Sequence, residues 1–303
     1  MSVSFNRAMG RRVLRVVLVG TGTGVGKTHV ACALLAEWAG SRRVVGLKPI
    51  ETGIIVGRRR RGAEQSDQGR LTASAQMFHV KRAGGARALE RGVSEAAIRS
   101  RLGEPRSFHV KQRVGVRPPI SGRPRSLRAP IARVSAPHPQ ASLYTFPEPV
   151  SPHLAARDAA VRIDLGVIER WVEDHEAPVT LIETAGGLFS PLGHASTNFE
   201  LTRAMHPDAV VLVAPDRLGV LHELTTTLAL SAARGGLPIG VVLSAPEVPD
   251  ASTGRNGAEL EALGIAAPIA TFPRRAMRHP ATTNASRTVI AWIERLSGIH
   301  PAS

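Results

Sequence analysis

One cysteine, Cys32, stands in a chain of 303 residues, so no disulfide can close within it. No run of about 18 apolar residues occurs, which leaves no candidate for a membrane-spanning helix. The first twelve residues, MSVSFNRAMGRR, are basic but lack the apolar stretch of a secretory signal. A cytoplasmic protein without a membrane partner is therefore the expectation. Acidic residues are scarce in one region only. Residues 54–137 hold 19 Lys/Arg against 5 Asp/Glu, while the rest of the chain holds 20 against 19. The net charge of +15 is thus local. A basic field spread over a folded face would mark a nucleic-acid surface; a basic run among prolines and glycines is more often a solvated loop, so nucleic acid is not the expected partner.

What the chain does have is GTGTGVGKTH at residues 20–29, after the apolar run 13–19 and before a helical pattern at 28–38. Strand, glycine-rich turn and helix are the context in which backbone N–H groups and a helix N-terminus hold phosphate. Lys27 would reach the β- and γ-phosphates, and the Thr28 hydroxyl would sit on Mg²⁺. The usual spacing requires glycine six residues before the lysine. Thr21 is there instead, with the glycine one place earlier at Gly20. The additional early lysine of the ParA/MinD-type partitioning ATPases is also missing, Gly22 occupying its position.

Outside the basic segment, strand and helix patterns alternate. Strands are expected at 13–19, 43–47, 179–183, 209–214, 239–243 and 267–271. Helices are expected at 28–38, 151–160, 164–175, 218–234, 255–263 and 284–296. Several strands are continuous apolar runs, as in strands buried on both faces. The fold class that follows is α/β: a doubly wound, mostly parallel sheet of the P-loop NTPase kind, carrying a basic low-complexity insertion. The chain reads as one domain, 1–303, interrupted by 75–137. That segment contains the echoes FHVKR (78–82) and FHVKQ (108–112) and a possible basic helix at 86–102. From Arg113 to Gln140 it has no acidic residue and six prolines. Such a tract buries too little apolar surface to offset its ordering entropy, so most of it is expected to be disordered.

Four further motifs fall at strand ends or helix starts. KPIETG (48–53) closes a strand, and Pro49 keeps Lys48 extended, aiming it towards the phosphate loop. Gln65-Ser66-Asp67 reads as a helix cap. IETAGGLFSPL (182–192) places Glu183 at the end of a buried strand, where an acid needs a partner or a metal. YTFPEPVSPHLAA (144–156) starts a helix with Ser151 as N-cap before Pro152; His153 reads as a surface or packed residue.

Together and in this order, these motifs resemble the dethiobiotin synthetases, over roughly 13–56, 64–72 and 141–275. The resemblance implies an ATP- and Mg²⁺-dependent cyclo-ligase that converts 7,8-diaminononanoate and CO₂ to dethiobiotin, ADP and phosphate through a carbamate and its phosphoric anhydride. It implies Lys48 and Lys27 as catalytic lysines and Thr28, Asp67 and Glu183 as the magnesium set. Nucleotide would lie against Gly24, Val25, Gly26, Lys27, Thr28 and His29, with Asp67, Glu183, Thr184, Ala185, Gly186, Ser244 and Pro273. Thr23, Thr52 and Gly186 would meet the substrate. A homodimer is implied too, with Gly219, Val220 and His222 at a helix N-terminus receiving the substrate carboxylate from the partner chain. The sequence departs from the family pattern at Ser244, where an asparagine contacts adenine, and at Gly22 and Gly24, where many members are acidic. Two other readings compete. One is a regulatory or scaffold protein binding nucleic acid or a partner through its basic arm. The other is a related amidoligase, which would need a glutamine-hydrolysing cysteine that Cys32, inside the first helix, does not provide.

Overall fold

The computed structural model describes residues 13–54, 67, 70, 71 and 142–298. The expected insertion, its echoes and its basic helix lie outside these residues, as do Gln65 and Ser66. The described elements begin with β1 (Leu14–Gly20), α1 (Lys27–Trp38), β2 (Val44–Leu47), β3 (Ile50–Thr52) and β4 (Tyr144–Phe146). They continue with α2 (Pro152–Asp158), α3 (Leu165–Asp174), β5 (Val179–Gly187), α4 (Asn198–Ala204) and β6 (Ala209–Pro215). The last are α5 (Val220–Ala233), β7 (Ile239–Ser244), α6 (Asn256–Ala262), β8 (Ala270–Phe272) and α7 (Pro280–Ser297).

Six strands form one sheet in the order β2-β5-β1-β6-β7-β8, every pairing parallel. Side chains of β1 alternate between two cores. Leu14, Val16 and Leu18 pack with residues of α1 and α7; Val17 and Val19 join the core that includes α3, α4, α5 and α6. All seven residues of β6 are buried. Burial on both faces explains why these strands are continuous apolar runs, each large side chain contributing about 1.5–3 kcal/mol. The chain turns from one half of the sheet to the other on either side of β1, so the crevice beyond its carboxyl end is the expected ligand site.

The structure modifies several expected boundaries. β5 continues past Glu183 to Gly187, because it bulges: Leu18 pairs with Glu183, but Gly20, two residues on, pairs with Gly187. A bulge of this kind re-aims side chains at a strand's end. α7 starts a turn earlier than expected, with His279 accepting from the Ala281 N–H and Pro280 in the first turn. α4 was not expected; Thr197 and Glu200 cap it reciprocally. Nor was the two-stranded parallel sheet of β3 and β4, which pairs Ile50 with Tyr144.

Candidate active site

The loop from β1 to α1 bends around Gly26, whose φ of 94° is left-handed and suits glycine. A side chain there would also collide with the Ser244 hydroxyl, 2.4 Å from where its Cβ would stand. Lys27 lies inside the loop, 7% exposed, and its ammonium donates to the Gly22 carbonyl at 2.9 Å. Burial lowers its pKa to about 8, against the pull of Glu183.

Lys48 follows β2 and is also buried, 6% exposed. Its ammonium forms ion pairs with Asp67 and, at 3.0 Å, with Glu183 Oε1. Burial would depress its pKa, but Glu183 and Asp67 outweigh this and hold it above the ordinary lysine value. Asp67, Arg70 and Leu71 stand in helical conformation. Burial would raise the Asp67 carboxyl; Lys48 outweighs that and lowers it, and the Thr28 hydroxyl adds to the lowering. Thr28 donates to Glu183 Oε1 at 2.8 Å. Glu183 is fully buried, and its second oxygen has no hydrogen-bond partner among the described residues. Two lysines, two carboxylates and a hydroxyl thus meet at the carboxyl ends of β1, β2 and β5.

They face a cavity of about 590 Å³. Of the residues singled out in the sequence, Thr23, Gly24, Gly26, Lys27, Thr28 and His29 line it from the loop side. Lys48, Thr52, Asp67, Glu183, Ala185 and Gly186 line the other walls. Gly186 has φ 81°, and a Cβ on it would come within 2.7 Å of the Ser190 hydroxyl. A smaller cavity of about 260 Å³ shares Gly24 and Gly26 and adds Val25, Ser244, Glu247 and Arg274.

Thr184 and Pro273 line neither cavity. Thr184 is buried and donates to the Leu18 carbonyl at 3.3 Å; Pro273 accepts from His29 Nε2 at 3.1 Å. Burial lowers the pKa of His29, the Pro273 carbonyl opposing. Gly219, Val220 and His222 stand at the start of α5, outside the linings of both cavities. Ser151 precedes α2 as expected but does not cap it; its hydroxyl shares a 2.9 Å hydrogen bond with His153 Nδ1 instead.

The sequence reading passed over three residues. Glu51 and Arg70 also line the larger cavity. Asn198, fully buried, donates to the Ala185 and Gly187 carbonyls at 2.6 and 2.8 Å and so braces the β5 tip. A T-x-x-E capping signal at 197–200 announced the helix that carries Asn198. Nothing local marked Glu51, whose bonds reach far along the chain.

A parallel α/β sheet with a glycine-rich loop and buried lysine after its first strand defines a phosphate-binding nucleotide protein. Residues 116–302 match the family model described as an AAA domain. The chain is 30% identical over 263 residues to the ATP-dependent dethiobiotin synthetase BioD of Anaeromyxobacter dehalogenans strain 2CP-C, covering 84% of this chain and 88% of that one. It is 28% identical over 232 residues to the protein of the same name from Caulobacter vibrioides strain NA1000 / CB15N, covering 75% and 78%. The chain belongs to the dethiobiotin synthetase family and is an ATP-dependent ligase. Among solved structures, it aligns with a ParA family ATPase from Chlorobium tepidum TLS at 11% identity, TM-score 0.44, over 95% and 96% of the two chains. Among the described residues, no helix is long and apolar enough to cross a membrane.

Proposed function

We propose that this enzyme forms dethiobiotin from 7,8-diaminononanoate, CO₂ and ATP, releasing ADP and phosphate, as a step of biotin synthesis. One amine of the substrate adds to CO₂ and loses a proton, giving a carbamate. A carbamate oxygen attacks the γ-phosphorus, and ADP leaves. The second amine attacks the carbonyl of this mixed anhydride, the ureido ring closes and phosphate departs. The chemistry needs placement and charge neutralisation more than covalent help from the protein.

The observation that carries the reading is the pair of buried lysines in one cavity. Lys27, inside the loop, would hold the β- and γ-phosphates. Lys48, paired with Asp67 and Glu183, would offset the carbamate and the charge that develops on the transferred group. Thr23, Thr52 and Gly186 would line the diamine's path, with Ala185 close to the transferred phosphate. The smaller cavity, across the loop, would take the nucleoside, with Ser244 beneath the base. Thr184, His29 and Pro273 would support it from behind the lining.

The residues present fit a magnesium ion. Among the described residues the buried Glu183 Oε2 lacks a partner, and Asp67 and Thr28 supply further hard oxygens beside it. Among the described residues no three His, Cys, Asp or Glu cluster to cage a metal. Two carboxylates and a hydroxyl suit an ion that takes its remaining ligands from phosphate and water. Thr28, Asp67 and Glu183 would hold it, and the ion would neutralise phosphate charge during transfer.

A homodimer would bring Gly219, Val220 and His222 of α5 to the partner's diamine. Among the described residues no side chain caps α5, which leaves its N-terminus suited to a carboxylate.

The test is diamine-dependent ADP release with bicarbonate and Mg²⁺, dethiobiotin being identified by mass. Turnover that requires both diamine and CO₂ supports the assignment. A folded protein that binds ATP and never forms dethiobiotin refutes it.

A further inference from the structure

Glu51 belongs to none of the roles assigned above, yet it is 5% exposed and lines the larger cavity. It is the middle residue of β3, and both its carboxylate oxygens are engaged. Oε1 accepts from the backbone N–H of Asp67 at 2.6 Å, and Oε2 accepts from the Ser142 hydroxyl at 3.1 Å. Asp67 and Ser142 are 75 residues apart in the sequence. One buried carboxylate therefore ties together two distant segments and β3.

Resting on the proposed magnesium site, we infer that Glu51 is a positioning residue that sets Asp67 as an ion ligand, by holding the Asp67 backbone and bracing itself on Ser142. Three facts make this more than packing. The bond is to the backbone of the proposed ligand itself, so it fixes where the Asp67 side chain starts. Asp67 is half-buried and its side chain is 33% exposed, so burial alone does not hold it. Lys48 pairs with the Asp67 carboxylate and so fixes only its far end. A buried carboxylate needs hydrogen bonds to both oxygens, and Glu51 finds them on Asp67 and Ser142. Residues that orient a ligand from behind typically govern metal affinity by about 10–100-fold.

The discriminating experiment titrates Mn²⁺ into the full chain with ATP, following free Mn²⁺ by electron paramagnetic resonance, alongside dethiobiotin formation. Glu51→Ala should weaken Mn²⁺ binding about tenfold or more and raise the Mg²⁺ requirement for turnover, with little change in the KM for the diamine. Glu51→Gln keeps an acceptor for the Asp67 N–H and can donate to Ser142, so it should restore most of the affinity. Glu51→Asp keeps the charge but not the reach, and should behave like the alanine variant; it carries the comparison if Glu51→Ala does not fold. Wild-type Mn²⁺ affinity in a folded Glu51→Asp overturns the inference. A wild-type enzyme that binds Mn²⁺ with ATP but makes no dethiobiotin overturns the ligase reading instead, and the ion affinities then decide on Glu51 separately.

Discussion

Lys27 and Lys48 share a cavity and a similar burial, but their charges are held differently. Lys48 has two carboxylates; Lys27 has a carbonyl and a distant share of the same acids. Holding Lys27 charged therefore opposes folding. Between about pH 8 and the ordinary lysine value of 10.5, the unfolded chain binds this proton more tightly than the folded one. Its contribution to stability thus rises with pH through that window, by an amount on the order of 3 kcal/mol. Lys27→Met should abolish phosphoryl transfer yet stabilise the protein by about 1–3 kcal/mol at pH 7, the gain shrinking by pH 10. Lys48→Met should act in the opposite sense. It strands the fully buried Glu183 without its cation, a loss of about 3–5 kcal/mol. Urea melts of both variants at pH 7 and pH 10 check the pair, and equal signs at pH 7 would contradict this account. The sequence made both lysines visible, one by its loop and one by the proline after it. It did not reveal that their energetics differ, since that depends on which acids from β5 and from the residue-67 region converge on each.

The proposed site gathers at the strand tips, and α4 supports the tip of β5. Asn198, in the first turn of α4, donates to two carbonyls of the β5 tip, those of Ala185 and Gly187. Asn198→Ala leaves both without this donor in a buried setting, at a cost of about 1–3 kcal/mol for each group that stays unpaired. Turnover should fall at least tenfold even where the variant remains folded, because Glu183 and Gly186 lie on that tip. A folded, active Asn198→Ala enzyme would show that the tip stands without α4. Gly186→Ala should be worse than an ordinary glycine substitution. It combines a left-handed φ of 81° with a close approach to Ser190, and a melt together with ADP release would register both effects. Five of the six main strands were legible because burial writes itself as apolar runs; β8, a half-exposed edge strand, lies a little later than the expected 267–271. β3 and β4 were not legible, being three residues each and paired across more than ninety positions. The extension of β5 was hidden for a related reason, since a bulge depends on the strand alongside it.

At the scale of the whole chain, the question is whether the basic segment 75–137 matters to the enzyme. Both sides of it are anchored close together. Leu71 is fully buried in the α1 core, Leu143 is buried in the opposite core, and Glu51 bridges Asp67 to Ser142. Removing 75–137 leaves residues 72–74 and 138–141 between the anchors, a stretch able to span up to about 23 Å when extended. The two atoms that Glu51 joins are separated by no more than two hydrogen bonds and the width of a carboxylate, so the remaining chain is long enough. On the sequence expectation that 75–137 is mostly disordered, shortening the connection about tenfold recovers about 2 kcal/mol of closure entropy. The deletion also removes 14 basic and 3 acidic residues, lowering the net charge from +15 to +4. The truncated enzyme is therefore expected to melt no lower than the full chain, to form dethiobiotin at a comparable rate, and to lose salt-sensitive retention on an anionic resin. A truncated protein that melts several degrees lower would mean that 75–137 packs on the domain. One that melts normally but requires more Mg²⁺ would mean that the segment helps Glu51 hold Asp67.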